Sequence, residues 1–585
     1  MSIRVVGSQP AIPAPHRGRD LEGGPLLPIR AAVVTAAFVF VAGLSTATAI
    51  GRSLKLPATR IRCSRWMDRT RRTRGSVAAV VFATTLVVAV SGGASLASAA
   101  VRGRPAIVGQ TRPKGGSGAP LSTCPPGATD VKPSQDLANV VSGSPLGTTF
   151  CLEPGTYRVA TPIGTKSGDT FIGSGMGVTF VRGDITIPGS RWSQSGGLWT
   201  DSSKDALPSP LLDTTPCADG TKVCDYEDDL NRGDSGVPLK RVLVPCSTKN
   251  VVAGTYCIDY SKRTIYMADN PSTLGGVTYT VDPSGFGSAS NSLISDITIA
   301  HVASTGVSIG TGSTGTRLEV EFVHEAGTIL SSNSTKQPAT LTDSHLHDNG
   351  LKGGGGPTSS GVFSYNEVDH NGWAGFDGSQ GVSGAKFSTA NNLTVRGNGF
   401  HDNIGSGLWM DVQTENFTVT DNVMANNHIS IRLPYAIRGG YGILIEHSCH
   451  LVFQNNTISG NDRSAINATN PTDVSISGNT ISGNGRGIEL GENGRAQPAG
   501  PCIRGGGVIA MKNIVVRNND ITMSAGYSGF ILQGKPLDPT DSFNGNTYHV
   551  ADCGGHWWVL GRVRNLLTWS AWRAAGEDSG GTCGK

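Results

Sequence analysis

Short runs of alternating apolar and polar residues recur through the second half of the chain. Each repeat starts with such a run, passes a polar turn rich in Asn or Gly, and ends in another run. An example is "LTVRGNGFHDNIGSGLWMD" from Leu393. Alternation with period two predicts β-strands. The starts of eight repeats lie 21 to 40 residues apart, around a unit near 22 residues, which predicts a stacked solenoid.

Asparagines mark the same two places in successive repeats, five residues apart. Asn tolerates a left-handed backbone, and its amide can hydrogen bond to the copies above and below. We therefore expect a turn with positive φ at the first Asn of each pair. The pairs are Asn366/Asn371, Asn398/Asn403, Asn422/Asn427, Asn456/Asn461 and Asn479/Asn484.

The pattern changes at both ends of the repeats, and these changes predict the domain boundaries. Before the first coils, "PSQDLANVVSG" predicts a short helix whose apolar face covers the open end of the stack. Residues 191–290 lose the period and hold four cysteines, so they predict an inserted small β-domain. The predicted parts are a disordered linker over 100–123, an N-terminal cap and first coils over 124–190, the insertion over 191–290, β-helix repeats over 291–533 and a C-terminal capping segment over 534–585.

The insertion contains the acidic run "DYEDDLNRGD" at 225–234. Such a run invites comparison with a calcium loop, but its spacing does not match the EF-hand template. A solvated surface loop is the favoured interpretation. We expect no cofactor and no metal ligand set, with Ca²⁺ left open.

Two apolar stretches precede the globular part. Residues 67–99 have a basic start, an apolar run and an A-x-A pattern before the expected cleavage at Ala99, which predicts a secretory signal peptide. Residues 1–66 are then interpreted as mis-annotated upstream sequence. The alternative is a membrane-spanning segment over 31–50, which has about the length required.

Charge and cysteine content both change once this leader is set aside. Residues 1–99 hold 13 of the 48 Lys and Arg and 3 of the 44 Asp and Glu, so the remainder has 35 against 41 and a net charge of −6. A basic protein that binds nucleic acid is therefore not indicated. Ten cysteines remain, and an even number in an exported chain favours disulfides. Sequence proximity suggests the pairs 124–151, 217–224, 246–257 and 553–583, which leaves 449 and 502 as the fifth pair.

The composition agrees with an all-β fold, because 80 glycines with only 6% aromatic residues suit short strands and tight turns. From Cys124 to Lys585 the repeats, "TFCLEPGTY" and the closing "WWVL…TWSAWRAAGEDSGGT" resemble the right-handed parallel β-helix of the pectate-lyase-like superfamily, in its secreted actinobacterial type. That resemblance implies a single-chain right-handed parallel β-helix. Polysaccharide lyases and glycoside hydrolases are its common enzymes, although fold alone does not give function.

Aligning the third strand of each coil on its inward residues predicts two outward rows. One row is Asp377, Trp409, Leu444, Asn467 and Glu489. The other is Ser379, Asp411, Glu446, Thr469 and Gly491.

Parallel strands lie ~4.8 Å apart, so Asp411 and Glu446 would stand close together. That separation suits a nucleophile and a general acid in a retaining glycosidase, which need about 5–5.5 Å. Trp409 would offer a sugar ring an apolar face, Asp377 would assist catalysis, and Asn467 and Glu489 would bind substrate.

Other interpretations of this face stay open. Outward polar residues are ordinary on an exposed sheet, and stacked carboxylates can bind a structural cation. A polysaccharide lyase would need a base such as Lys386, His401 or Arg432 to abstract a proton beside a uronate carboxylate. In the proteins that this segment resembles, a "G-x-K-F" Lys, the "HDN-x-G-x-G-L-W-x-D" run and a following Glu recur, matching Lys386, His401–Asp411 and Glu446. The same "HDN" tripeptide occurs at His347–Asn349. A histidine that recurs between repeats is more often part of a structural ladder than a catalyst, so this recurrence argues against a catalytic role for His401.

Together these observations predict a secreted protein that processes an extracellular poly- or oligosaccharide, with hydrolysis ahead of β-elimination. A non-catalytic glycan-binding surface protein is the competing class. We expect a monomer without nucleic-acid partners, and without a membrane partner after signal cleavage.

Overall fold

The computed structural model describes residues 123–202, 215–233, 236–242, 246–429, 439–531, 538–561 and 565–585. The predicted leader, the alternative span at 31–50, nearly all of the predicted linker and Arg432 lie outside these residues. Within the described residues, no helix has the length and apolarity needed to cross a membrane.

Nearly all of the described secondary structure is β-strand, and successive strands pair in parallel with the strand one coil later. The result is a right-handed parallel β-helix, as predicted. Each coil contributes a first and a second strand to one 24-stranded sheet and a third strand to a 12-stranded sheet. The first strands are Thr129–Val131, Thr149–Leu152, Thr170–Ile172, Ala339–Thr342, Gly361–Ser364, Asn391–Arg396, Glu415–Thr420, Cys449–Gln454, Thr472–Ser477, Lys512–Arg517 and Ser542–Asn544.

Two long strands, Leu293–Ala300 and Thr314–Glu321, serve as first and second strand at once. The remaining second strands are Gly155–Arg158, Thr179–Arg182, His345–His347, Glu367–Asp369, Gly399–His401, Val423–Ala425, Thr457–Ser459, Thr480–Ser482, Asp520–Met523, Thr547–Val550 and Thr582–Gly584. The third strands are Ser284–Phe286, Thr305–Ile309, Ala326–Leu330, Lys352–Gly355, Ser383–Ser388, Ser406–Asp411, Ile443–Glu446, Ser464–Thr469, Arg486–Gly491, Ser528–Ile531 and Trp558–Val559. Strand Leu566–Leu567 ends this sheet and pairs antiparallel with Trp558–Val559.

Inward residues of all three strands form one continuous apolar core along the stack. The predicted helix covers its N-terminal end over Leu137–Gly143, with Leu137 and Val141 buried and Asp136 capping the Asn139 N–H at 3.1 Å. At the other end, helix Trp569–Ala574 buries Trp572 against Phe543.

Five disulfides link the predicted pairs, namely 124–151, 217–224, 246–257, 449–502 and 553–583. Such bonds form and persist where the environment is oxidising.

The asparagines form two ladders that run along the stack. In each rung the Oδ1 atom accepts the main-chain N–H and the side-chain Nδ2–H of the Asn one coil earlier. Asn371 donates to Asn403 Oδ1 at 3.1 and 2.9 Å, and Asn403 donates to Asn427 Oδ1 in the same way. The expected positive φ at the first Asn of each pair is wrong. The left-handed residue is the one before it, as at Tyr365 (φ 56°), because the Asn side chain must point into the coil to bond the next rung.

The chain leaves the coils after Arg182, because strand Leu293–Ala300 stacks directly on Thr179–Arg182. The intervening segment builds two small sheets around its own apolar core. Their strands are Asp184–Ile187, Ser193–Ser195, Leu198–Asp201, Leu230–Arg232, Lys240–Arg241, Thr255–Asp259, Thr264–Met267 and Val277–Thr280, with 3₁₀ turns at Gly189–Arg191, Thr248–Asn250 and Pro271–Leu274.

The acidic run is not a solvated loop where it is described. Asp228 is fully buried and accepts hydrogen bonds from Arg241 Nη2 at 2.9 Å and Tyr260 Oη at 2.7 Å. Asp229 reaches the β-helix, where its Oδ2 contacts His324 Nδ1 at 2.8 Å. The sequence shows that this segment is acidic. It does not show the partners of Asp228 and Asp229, because these lie on strands that are distant in sequence.

Removing one rung of an Asn ladder should destabilise the whole stack. Asn403→Ala leaves the Asn371 N–H and the Val368 carbonyl without their partners inside the core, and each such loss costs about 1–3 kcal/mol. We expect a loss of roughly 3–5 kcal/mol in the free energy of unfolding, measured by urea denaturation. Asn139→Ala, at an exposed helix position, is the control and should change little. Equal losses in the two variants would contradict a ladder role.

The link between His324 and the insertion should make stability depend on pH. Both ring nitrogens face acceptors, Asp229 Oδ2 and the Cys224 carbonyl at 2.9 Å. Burial lowers the pKa of His324, but the Asp229 charge and these hydrogen bonds outweigh it and raise the pKa to about 9. The cationic form therefore stabilises the fold fully below about pH 6.5, the unfolded value, and this contribution is lost as pH rises through about 9.

Urea denaturation of the wild type and His324→Gln between pH 6 and 10 tests this expectation. The difference in unfolding free energy between them should shrink by about 2–3 kcal/mol from pH 7 to pH 10. A difference that stays constant over that range would show that His324 is neutral in the folded protein.

Candidate active site

The outward side chains of the third strands stand in rows across neighbouring coils. The strand register aligns Trp409 with Leu444, Leu444 with Asn467, and Asn467 with Glu489. This part of the predicted row is confirmed. In the next row Glu446 pairs with Thr469, and the same register continued by one residue sets Asp411 beside Glu446.

The coil before Trp409 was aligned wrongly. Lys386, on strand Ser383–Ser388, is the register partner of Trp409, and Ser388 is the partner of Asp411. Asp377 and Ser379 are not in the rows, because the segment around Phe376 bridges to Cys217 of the insertion. The Asp377 N–H donates to the Pro216 carbonyl at 2.8 Å, and its carboxylate accepts the Ser379 N–H at 2.8 Å.

Lys386 is the cation of this face. Its ammonium lies 2.9 Å from Asp411 Oδ2, and both side chains are nearly buried. The same ammonium lies 3.7 Å from the centroid of the Trp409 ring, in a cation–π contact. The Lys386 ammonium therefore contacts the Asp411 carboxylate and the Trp409 ring at the same time.

The face is covered to a degree that the alternation did not reveal. Trp409 is 1% exposed and packs with Tyr441 and Leu444, while Asp411 and Glu446 are each 8% exposed. The expectation of an open aromatic platform at Trp409 is therefore wrong, since Lys386 lies over the ring. Strand period tells which side of a sheet a residue faces, but not what covers that side.

Two buried polar atoms at this face have no hydrogen-bond partner in the structure. They are Trp409 Nε1, which can only donate, and Asp411 Oδ1, which accepts as a carboxylate. Buried unpaired polar atoms are costly and uncommon, so each requires an explanation. A ligand hydroxyl can accept from an N–H and donate to a carboxylate, and it would satisfy both kinds of atom.

Farther along the row, Glu489 is held by its neighbours. It accepts from Arg486 Nη1 at 2.7 Å, Tyr527 Oη at 3.1 Å and Asn467 Nδ2 at 3.3 Å. A cleft of about 260 Å³ opens here. It is lined by Asn467, Ala468, Thr469, Glu489, Leu490, Gly491, Glu492 and Asn493. The rows that carry Asp411 and Glu446 thus continue directly into an open cleft.

His401 belongs to another face. It lies at the end of a second strand, with Nδ1 at 2.8 Å from Asp402 Oδ2 and Nε2 at 3.2 Å from Glu367 Oε1. Burial lowers its pKa, but these two carboxylates outweigh burial and raise it to about 9. His401 therefore does not join Lys386, Asp411 and Glu446 in one cluster.

The sequence interpretation missed a cluster of charged side chains around His401. The outward residues of four consecutive second strands are Glu319, Glu321, His345, His347, Glu367, Asp369 and His401. Hydrogen bonding to Asp348 and the nearby Glu319 and Glu321 outweighs burial and raises the pKa of His347 to about 10. The sequence pattern that indicates this cluster is a charged or histidine residue at the same position of successive repeats. The four tripeptides are E-V-E, H-L-H, E-V-D and G-F-H.

Comparisons with known proteins agree with this architecture. The family described as right handed beta helix region matches residues 285–438 and 431–559. The structure of XylC in complex with xylose aligns with a TM-score of 0.53 and 12% identity, over 77% of this chain and 82% of that chain. The mannuronan C-5 epimerase AlgE6 A-module of Azotobacter vinelandii aligns with a TM-score of 0.43 and 18% identity, over 77% and 92%. At such identities the likeness shows the fold alone. No curated protein matches the sequence significantly.

The ion pair at this face should be strongly coupled. Lys386→Met leaves the Asp411 charge buried without its counter-ion, and we expect it to cost about 3 kcal/mol of unfolding free energy. The double variant Lys386→Met/Asp411→Asn should recover most of that loss, because no charge is then left unpaired. Lys262→Met, at an exposed pair with Asp259, is the control and should have no measurable effect. Additive losses in the double variant would contradict the coupling.

Proposed function

We propose that this right-handed parallel β-helix protein is a secreted glycoside hydrolase that cleaves an extracellular poly- or oligosaccharide. The register of Trp409 with Leu444, continued to Asp411 and Glu446 on these neighbouring third strands, carries this proposal together with the Lys386 ammonium 2.9 Å from Asp411. The five disulfides and the predicted signal peptide support export.

Asp411 is the proposed nucleophile. Its Oδ2 atom lies 2.9 Å from the Lys386 ammonium, and its Oδ1 atom has no hydrogen-bond partner among the described residues. In the first step Asp411 attacks the anomeric carbon, the glycosidic bond breaks, and a covalent glycosyl ester forms.

Glu446 is the proposed general acid and base. It protonates the leaving oxygen in the first step and accepts a proton from the attacking water in the second. The general spacing of parallel strands, ~4.8 Å, is compatible with the 5–5.5 Å between the carboxyls of a retaining enzyme and shorter than the 6.5–9.5 Å of an inverting one.

The surroundings of the pair support a sugar as the ligand. Trp409 Nε1 and Asp411 Oδ1 present one unpaired donor and one unpaired acceptor, which suit sugar hydroxyls. Trp409 would contact the sugar through its indole N–H edge, because Lys386 covers the ring face. The cleft beside Thr469 and Glu489 would hold an adjoining sugar unit, and its volume is close to the roughly 300 Å³ at which ligand pockets begin.

The lyase alternative receives less support from this geometry. Its base must accept a proton from the sugar, whereas the amine of Lys386 is engaged by the Asp411 carboxylate at 2.9 Å. His401 faces away on another strand. Burial of Asp411 and Glu446 is the observation that favours the non-catalytic alternative, because a glycan must reach them to be cleaved.

An activity screen on neutral and acidic polysaccharides and their oligosaccharides tests the proposal. Asp411→Asn and Glu446→Gln should each lower kcat by at least about 100-fold, since each removes a group that transfers charge or a proton in the transition state. Asp421→Asn, which alters an exposed carboxylate paired with Arg396, is the control and should retain full turnover. The released sugar should keep its anomeric configuration, which NMR of early product detects.

Other outcomes would decide between the alternatives. Full turnover in both Asp411→Asn and Glu446→Gln would reject the paired-carboxylate mechanism. An ultraviolet-absorbing unsaturated product would identify a lyase. Binding without turnover by the wild type on every substrate would identify a glycan-binding protein.

A further inference from the structure

The outward side of the second strands carries a set of side chains that the proposed hydrolysis does not use. Glu319 and Glu321 alternate on one strand, and the next strand places His345 beside Glu319 and His347 beside Glu321. We call these four residues the histidine face. It belongs to the 24-stranded sheet, whereas Asp411 and Glu446 belong to the 12-stranded sheet.

We propose that the histidine face binds a divalent first-row transition-metal ion, with His347, Glu319 and Glu321 as ligands and His345 completing the set. The distances around His347 support this. Its Nε2 atom lies 3.5 Å from Glu319 Oε1 and 3.7 Å from Glu321 Oε2. These distances exceed a normal N–H···O hydrogen bond. Two ligand atoms bound at about 2.0–2.1 Å to one tetrahedral ion lie about 3.3–3.4 Å apart, which is close to both.

The state of His347 gives a second, independent reason. The residue is only 9% exposed, and its Nε2 atom has no hydrogen-bond partner although it is buried. Its other nitrogen, Nδ1, contacts Asp348 Oδ2 at 2.8 Å. A histidine ligand typically donates its second N–H to a carboxylate. An ion that binds Nε2 would displace the proton from that atom, and the Nδ1 contact with Asp348 would then orient the neutral ring.

His345 and Glu319 are held in the same manner. The ring of His345 stacks on that of His347, with centroids 4.0 Å apart, and its Nε2 contacts Asp369 Oδ1 at 2.6 Å. One ligand atom each from Glu319, His345 and His347 lie within 4.8 Å of one another. The second oxygen of Glu319 accepts a hydrogen bond from Thr298 Oγ1 at 2.9 Å. Neighbouring residues therefore hold the ligands before any ion arrives.

The chemistry of the donors selects the class of ion. Two imidazoles and two carboxylates suit zinc, cobalt, nickel or iron, whereas calcium and magnesium prefer oxygen ligands alone. The four side chains keep some exposure, between 11% and 25%, so an ion can enter from solvent.

Calorimetric titration of the untagged mature chain with Zn²⁺, after dialysis against a chelator, tests the proposal. The wild type should bind one Zn²⁺ per chain, and Zn²⁺ should raise its melting temperature. His347→Gln and Glu321→Gln should each weaken binding at least about tenfold, because each removes a ligand. His549→Gln is the matched control, since His549 is another outward histidine of the same sheet, 2.8 Å from Asp520. It should bind as the wild type does.

Several results would overturn the proposal. Among them are no stoichiometric Zn²⁺ binding by the folded wild type, and wild-type affinity in both ligand variants. Calcium binding as tight as zinc binding would also reject the donor set proposed here. If His347→Gln fails to fold, as judged by circular dichroism, Glu321→Gln at its more exposed position decides alone.

Discussion

The Asn ladders are the interaction on which the rest of the structure depends. A β-helix must turn the chain three times in every coil, and each turn brings main-chain N–H and C=O groups toward the core. The asparagine side chains supply these groups with partners from the next coil. One amide rung, such as Asn403 between Asn371 and Asn427, therefore fixes the turn and the spacing of the stack together. The Asn rungs keep the stacking of the coils constant. The outward side chains are therefore free to differ from coil to coil.

The outward side chains of the third strands and those of the second strands differ in chemistry, although both sets stand on the same regularly stacked coils. On the third strands, packing by Tyr441 and Leu444 buries Trp409, and the ion pair between Lys386 and Asp411 lies beside it. Asp411 and Glu446 are thereby largely shielded by protein, each with 8% of its surface exposed. On the second strands, histidines alternate with carboxylates and stay partly open to solvent. The histidines are no more exposed than Lys386 and Asp411, so the charged surfaces of the two sheets differ in chemistry rather than in exposure.

The sequence predicted the fold well because a repeat of near 22 residues and a period of two are both local patterns. Register along the row from Trp409 to Glu489 followed from the inward residues for the same reason. The predicted position of Asp377 is wrong because the neighbouring Phe376 pairs with Cys217 of the insertion, outside the row. The alternation of apolar and polar residues holds no information on this contact. The burial of Trp409 and of Asp228 also arises from residues far away in sequence. The residues of the histidine face recur in the repeats of the sequence. A histidine that recurs in this way was interpreted as part of a structural ladder and not as a ligand.

The last rung of one ladder is an aspartate rather than an asparagine. Asp578 is fully buried, and its carboxylate accepts from the main chain and side chain of Asn546, from Tyr548 Oη and from Trp572 Nε1. An amide at this position would offer another donor to whatever strand came next, including one from a second molecule. A carboxylate can only accept, and all of its donors come from within the chain. At this end of the coil the ladder therefore offers no side-chain donor to a further strand, and an added molecule could not extend it through the bond that links every earlier rung.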